Sequence, residues 1–364
     1  LESPVAYFLQ LVAHPAALPV PRHVVQEFGR AWTEPENLVM NGPFKLQSWE
    51  RGQPLVLARN QQYHGFSSGN VQRVELLGRA TMSDRELVTL YEAGRLDRLY
   101  IGVLSESEFI RAHQRNATDF LMPRVAAVFY YGFDVTRPPF DDVRVRRAFA
   151  LATDLAVVPS GPPVPLARGG LVPYGMPAHQ PGIGLPYDPE GARQLLAEAG
   201  YPGGRGFPEI VSRVHPGGWG EGYRKVQQSL WVEGLGIKMR WMALSASEMD
   251  ATDREGRPHT FVVFWAAPYP DPDSVLRLGI PWHWSGWSNE TYNRLVEEAR
   301  HTFDQSQRMK LYREADRILI EEAVVVPTEY GGHFWLMKPW VTRFPSSPLP
   351  SKSMYWKDVI IEPH

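Results

Sequence analysis

The apolar and polar positions along the chain divide it into short segments of two kinds. Alternating or continuous β-branched and aromatic runs mark strands, and apolar residues three and four apart behind a Ser or Asp mark helices. Tyr7, Phe8 and Leu11 suggest a short helix, and residues 24–32 a second one after the proline-rich turn from Pro15 to Pro21. Behind Asn41-Gly42-Pro43, the positions Phe44, Leu46 and Trp49 lead to Leu55, Val56 and Leu57. They predict a β-hairpin closed by Arg51-Gly52, with residues 71–77 as another strand. Ser83 or Asp84 caps a helix through Tyr91, and Gly94 stops it. Residues 125–133 form an aromatic-rich strand, and Asp141 or Asp142 opens a helix reaching Thr153. Residues 155–187 carry many Pro and Gly with little periodicity and read as a loop or a crossing between lobes. Asp188-Pro189 supplies an N-cap and a proline at the first helical position, and Gly200 ends that helix.

Strands follow at 210–214 and 237–242, separated by a loop at 215–219 and a helix at 223–232. The most telling stretch is 261–276, FVVFWAAPYPDPDSVL. It begins as a buried strand, breaks at Pro268, and is kept from resuming by Pro270 and Pro272. Trp265 therefore stands where a sheet strand ends, the place where α/β proteins hold ligands. The same residues also read as plain structure, with Phe264 and Trp265 in the core and an ordinary proline loop behind them. A loop with three tryptophans spans 281–287, and helices cover 290–302 and 304–322, the latter capped by Asp304. Short strands at 324–327, 334–337 and 359–361 close the chain. The alternation predicts an α/β fold with a mixed sheet flanked by helices in each of two lobes.

The length of 364 residues fits that division, being more than one core usually fills. A net charge of −2 gives no electrostatic reason to expect nucleic acid or an anionic membrane. No apolar run approaches the ~20 residues that span a bilayer. Cysteine is absent, which excludes disulfides, thiolate metal sites and redox motifs. The start, LESPVAYFLQ, carries neither a basic n-region nor a signal h-region. Enzyme signatures are also missing: no G-x-S-x-G elbow, no H-E-x-x-H and no glycine-rich phosphate loop. Asp271 and Asp273 are the one candidate carboxylate pair, though D-P-D is equally ordinary capping chemistry. His283, between Trp282 and Trp284, reads as a loop histidine packed on aromatics, since one His makes no metal site. Arg144, Arg146 and Arg147 read as a solvated helix face. No cofactor or metal is expected. The 12 tryptophans on a chain without catalytic motifs favour binding over turnover.

Six stretches in order resemble one family, the bacterial extracellular solute-binding proteins of family 5, which serve oligopeptide, dipeptide and nickel ABC importers. They are Asn41-Gly42-Pro43-Phe44-Lys45-Leu46 through Trp49 and Leu57-Ala58-Arg59-Asn60 to Tyr63; Tyr91-Glu92-Ala93-Gly94 with Leu96-Asp97; and Pro138-Pro139-Phe140-Asp141-Asp142-Val143-Arg144-Val145-Arg146. Then come Tyr187-Asp188-Pro189 through Leu195 to Tyr201, Tyr269-Pro270-Asp271-Pro272-Asp273-Ser274, and Lys338-Pro339-Trp340-Val341. The resemblance implies a two-lobed, type II periplasmic-binding-protein-like clamshell that closes on a ligand between its lobes. Residues 41–145 with 336–364 would form lobe I, and 146–335 lobe II. Residues 1–40 would be the remnant of a small subdomain, because the family's N-terminal W-x-D-G portion has no counterpart here.

The resemblance also implies the site. The strand at Phe264, Trp265 and Ala266 would pair with the ligand backbone, and Ala267, Pro268 and Tyr269 would continue the wall with Trp219 and Trp284. Pro268 stands where oligopeptide-binding members carry an aspartate for the peptide ammonium. Apart from the resemblance, Arg254 reads either as a charge that balances an acidic ligand group or as an ordinary exposed charge. The implied partners are a peptide-like or other polar solute and an ABC permease, outside the cytoplasm, with any membrane attachment through an anchor beyond this chain. A metal chelate or an oligosaccharide is an alternative ligand. The sensory domain of a regulatory protein with the same fold is an alternative role, and turnover by Asp271 and Asp273 a third.

Overall fold

The computed structural model describes residues 3–78, 82–157, 165–216, 218–253, 255–280, 282–345, 347 and 356–364, with backbone only at 218–220. Two compact units emerge: Leu1–Leu11 with Arg124–Gly332, and Val12–Pro123 with His333–His364. The chain thus changes unit at 123/124, where the sequence suggested 145/146. The strand that begins at Arg124 lies between two strands of a sheet whose other members all come later in the chain, so pairing assigns it to them. Residues 1–11 join the same unit because Tyr7 is buried against Tyr269, with ring centroids 5.4 Å apart, and the Ala6 N–H donates to Arg300.

In the unit of Val12–Pro123 and His333–His364, the first helices are short, α1 (Phe8–Val12) entering it and α2 (Arg22–Phe28) following. The predicted hairpin is there, β1 (Phe44–Ser48) antiparallel to β2 (Leu55–Arg59), with β3 (Arg73–Leu76) on its far side. Next come α3 (Asp84–Glu92), β4 (Arg98–Tyr100), α4 (Glu106–Arg115) and β5 (Phe120–Leu121). Ser83 caps α3 in a reciprocal box: its hydroxyl accepts from the Glu86 N–H, and the Glu86 carboxylate accepts from the Ser83 N–H at 2.7 Å. Gly94, at φ +69°, takes the left-handed turn that ends the helix.

The other unit is built on one five-stranded sheet. Its elements are β6 (Arg124–Phe133), α5 (Val143–Leu151), α6 (Pro189–Glu198), β7 (Ile210–Val214), α7 (Gly218–Gln227), β8 (Met239–Ala243), α8 (Ala246–Ala251) and β9 (Thr260–Ala266). They continue with α9 (Asp273–Leu276), α10 (Trp282–Ser285), α11 (Glu290–His301), α12 (Gln305–Glu321) and β10 (Val325–Gly332). The sheet order is β10-β6-β9-β7-β8, mixed as expected: β6 is antiparallel to β10 and β9, while β7 is parallel to β8 and β9. Strand alternation splits the apolar residues between two faces. Val128, Tyr130 and Phe261 pack with Leu295, Tyr312 and Leu319 of α11 and α12; Tyr131, Phe133 and Val262 pack with Phe149, Leu196 and Trp231. The last three strands, β11 (Trp335–Met337), β12 (Val341–Arg343) and β13 (Ile360–Ile361), return to the first unit described, β11 inserting between β4 and β5.

Sequence reasoning missed β4 and β5, which are too short to show a period, and α4, where Ala112 alone is buried. The tryptophan-rich 281–287 contains the single turn α10 rather than only loop.

One buried charge ties a loop to this core. Asp316 of α12 is fully buried and accepts from the N–H groups of Leu171 (2.8 Å) and Val172 (3.4 Å). Gly170 lies so close that a Cβ there would meet the carboxylate at 2.0 Å. Burial pushes the Asp316 carboxyl up to about 7, against the two N–H bonds that favour its anion. The folded state therefore holds this proton in a range where the unfolded chain has lost it, so stability falls as pH rises from about 4 to about 7. In urea titrations, Asp316→Asn should flatten that slope relative to the parent; equal slopes would contradict the assignment.

Candidate functional site

The stretch 261–276 forms β9 and the loop behind it, and the two edges of β9 differ. On one side β9 pairs with β6 along its whole length, from Phe133↔Thr260 to Ala127↔Ala266, and the Ala267 N–H extends the ladder to Ala126 O at 2.7 Å. On the other side β7 reaches only Ser212↔Thr260 and Arg213↔Phe261. Backbone groups of an antiparallel strand point alternately to its two neighbours. Since Ala267 bonds to β6, so does Trp265, and Phe264 and Ala266 present their N–H and C=O groups to the side that β7 has left. Among the described residues these groups have no strand partner.

Arg213 ends the β7 pairing. Its side chain is buried, donates to Val262 O at 2.6 Å and to Leu244 O at 2.8 Å, and lies over the Trp284 ring. It satisfies the last carbonyl before the open stretch. Phe264, 40% exposed, rests on Phe129 with centroids 4.5 Å apart, and Phe129 on Tyr223 at 5.8 Å. An aromatic shelf thus flanks the free backbone. The Tyr223 hydroxyl is fixed by Glu329 (3.1 Å), and burial holds its pKa well above the ordinary phenol value.

Trp265 points to the opposite face. Its indole N–H donates to Ser274 O at 2.8 Å, and its ring fills the space beside Gly279. It is part-buried and fixes the loop to the strand end. Ala267 and Tyr269 are buried, the Tyr269 hydroxyl donating to Asp273 at 2.6 Å; Pro268 is part-buried between them. Trp284 is buried in the core, with its N–H on Asp250 at 2.7 Å, and His283 meets the same oxygen at 2.8 Å. The His283 bond first, then that of Trp284, holds the Asp250 carboxyl below its usual range. Trp219 falls within α7 rather than in a loop, and only its backbone is described; Arg254 lies outside the described residues. The structure therefore brings Phe264 and Ala266 to an open edge and puts Trp265, Ala267, Tyr269 and Trp284 into supporting packing. Phe129, Tyr223 and Arg213 were not singled out by sequence, because their place beside β9 depends on strand order.

The two aspartates are both engaged. Asp271 and Arg308 form a buried pair at 2.6 Å, each side chain 3% exposed. Burial raises the Asp271 pKa while the guanidinium opposes it. Asp273, wholly buried, pairs with Arg277 at 2.7 Å, whose own pKa is raised, chiefly by that bond. Asp271 also accepts from the Asp273 N–H, the capping role the sequence allowed. Among the described residues, no group of three or more His, Asp or Glu could hold a metal ion.

The model of the bacterial extracellular solute-binding proteins, family 5 Middle, matches residues 1–280. This chain belongs to that family. Family 5 relatives include the periplasmic oligopeptide-binding protein OppA of Salmonella typhimurium, 28% identical over 100% of this chain and 68% of that protein. The probable deoxycholate-binding periplasmic protein YgiS of Escherichia coli is 27% identical over 100% of this chain and 69% of the relative. Among solved structures, Haemophilus influenzae OppA in complex with RPPGFSPFR superposes with a TM-score of 0.75 at 23% identity, covering 98% of this chain and 72% of that one. The murein tripeptide binding protein MppA of Escherichia coli gives 0.78 at 22% identity, covering 100% and 72%. These likenesses show the type II periplasmic-binding-protein fold. Family 5 members are extracellular binding proteins, and no helix among the described residues is long and apolar enough to cross a membrane.

The contrast between shelf and support is measurable. Phe264→Ala should cost about 1 kcal/mol of stability, as for a half-exposed aromatic with one ring partner. Asp271→Ala, which strands Arg308 in the core, should cost about 3–5 kcal/mol. Comparable losses in urea unfolding would contradict this division.

Proposed function

We propose that this family 5 protein binds an extended, peptide-like solute along the free edge of β9 and delivers it to an ABC permease. The carrying observation is the unpartnered backbone of Phe264 and Ala266 beyond the end of β7. A strand that offers N–H and C=O groups at every second residue is matched by another polypeptide backbone, and main-chain pairing of this kind supplies affinity with little dependence on sequence. Saccharides carry no such ladder. The relatives named for oligopeptides and dipeptides support the same ligand class.

Pro268 offers no carboxylate for a ligand ammonium, and neither nearby aspartate is free to replace one: Asp271 serves Arg308 and Asp273 serves Arg277. Recognition at this edge therefore rests on backbone pairing and on the shelf of Phe264 and Phe129, backed by the buried Tyr223, which accepts an apolar side chain. The same pairing argues for a binder without turnover, since a general acid or base must be free to exchange its proton with substrate.

Ala266→Pro tests this directly. The Ala266 N–H points away from β6, so proline removes no ladder bond, and edge positions tolerate it. With tri- to pentapeptides of alanine and leucine titrated calorimetrically, the parent should bind. The variant should lose at least tenfold in affinity while its thermal unfolding stays near that of the parent. Absence of peptide binding to the parent, or unchanged affinity in a folded variant, would overturn the proposal.

A further inference from the structure

The unit formed by Val12–Pro123 and His333–His364 contains a cavity of ≈ 320 Å³ that shares no residue with the β9 edge. Its wall includes Arg98 of β4, Leu121, Met122, His333, Trp335 and Met337 of β11, and Phe344. The volume is at the small end of the range for small-molecule sites, roughly 300–1,000 Å³.

Arg98 gives the cavity its chemistry. Its guanidinium carbon lies 3.2 Å from the centroid of the Trp335 ring and 3.8 Å from that of Phe344, so the group is held between two aromatic rings. Stacking of this kind fixes the plane of the guanidinium and leaves its N–H donors at the rim. Among the described residues no carboxylate pairs with Arg98, and its side chain makes no hydrogen bond. Other arginines withdrawn from water here are served: Arg308 by Asp271, Arg213 by two carbonyls, and Arg146 by the carbonyls of Phe140 and Glu322. Burial pulls the Arg98 pKa down to about 9, with no opposing carboxylate, and leaves it cationic at neutral pH. Burial and the same guanidinium lower the pKa of His333, so its imidazole is neutral there and adds no second charge.

Arg98 is part-buried, and a preoriented cation that has lost part of its water without gaining a counter-ion carries a cost that a bound anion would offset. We propose that this cavity is a second ligand site, taking a small monoanionic carboxylate with an apolar body. The fork geometry of Arg98 matches a carboxylate with two parallel hydrogen bonds. One cation balances one negative charge, which disfavours a phosphate dianion. Leu121, Met122, Met337 and the two rings provide an apolar lining for the rest of the molecule. Pro123 and His333 are also in the wall, and the His333 N–H donates to Pro123 O at 3.0 Å.

Octanoate and octanamide, titrated calorimetrically into the full chain, test the site. Octanoate should bind saturably at one site and octanamide at least tenfold more weakly. Arg98→Gln should abolish the difference while leaving the peptide affinity of the β9 edge unchanged, and Arg98→Lys should restore only part of it. Should Arg98→Gln fail to fold, Met122→Trp fills the cavity without touching the guanidinium and should block octanoate alone. Equal binding of acid and amide, no saturable binding of octanoate, or octanoate binding that survives Arg98→Gln or Met122→Trp would overturn the proposal. Because peptide affinity is read separately, loss of one site is not confused with absence of the other.

Discussion

Backbone hydrogen bonding must be completed somewhere, and β9 leaves that requirement partly open on one side. Against β6 its ladder is continuous to Ala267; against β7 it stops after Phe261. A free strand edge is a hazard, since any exposed β segment can add to it. Here the open stretch is limited to the few residues after Val262, as far as Ala266, and the Arg213 guanidinium occupies the Val262 carbonyl in place of a strand. What remains is short, defined in register, and bordered by aromatic rings, which are conditions for a binding edge.

The loop after β9 keeps this edge in position. Pro268, Pro270 and Pro272 prevent the chain from continuing as strand or helix, and two buried ion pairs then fix its course. Asp271 reaches Arg308 of α12, while Asp273 closes a local cluster with Arg277, Tyr269 and Tyr7. Neither pair is a strong source of net stability, because desolvation cancels much of the attraction. Their effect is specificity of conformation: each acid has one partner with which its burial is tolerable. The same logic, applied to the arginine that has no acid at all, singles out the Arg98 cavity.

Much of this was legible in the sequence where the information is local. The capping box at Ser83, the Asp188-Pro189 start of α6 and the break at Pro268 are all set by neighbours within a few residues, and each stands where the pattern put it. The order of six family motifs gave the fold. What was not legible depends on partners far apart in the chain. Phe129 meets Phe264 across 135 positions of sequence separation only because β6 lies beside β9. Trp284 and Trp265 looked alike as aromatics after a strand, yet one is buried on Asp250 and the other is held at Ser274. Composition carries no information on which face a side chain takes. Likewise, Arg98 is unremarked in sequence, because its isolation from carboxylates is a property of three-dimensional placement.

Amide hydrogen exchange resolved along β9 reads the central claim most directly, comparing the free protein with protein saturated by a short peptide. Trp265 and Ala267 amides, already bonded to β6, should be protected in both states, while those of Phe264 and Ala266 should exchange readily when free and slow markedly on binding. Slow exchange at Phe264 and Ala266 in the free protein, or no change there with peptide bound, would contradict the account.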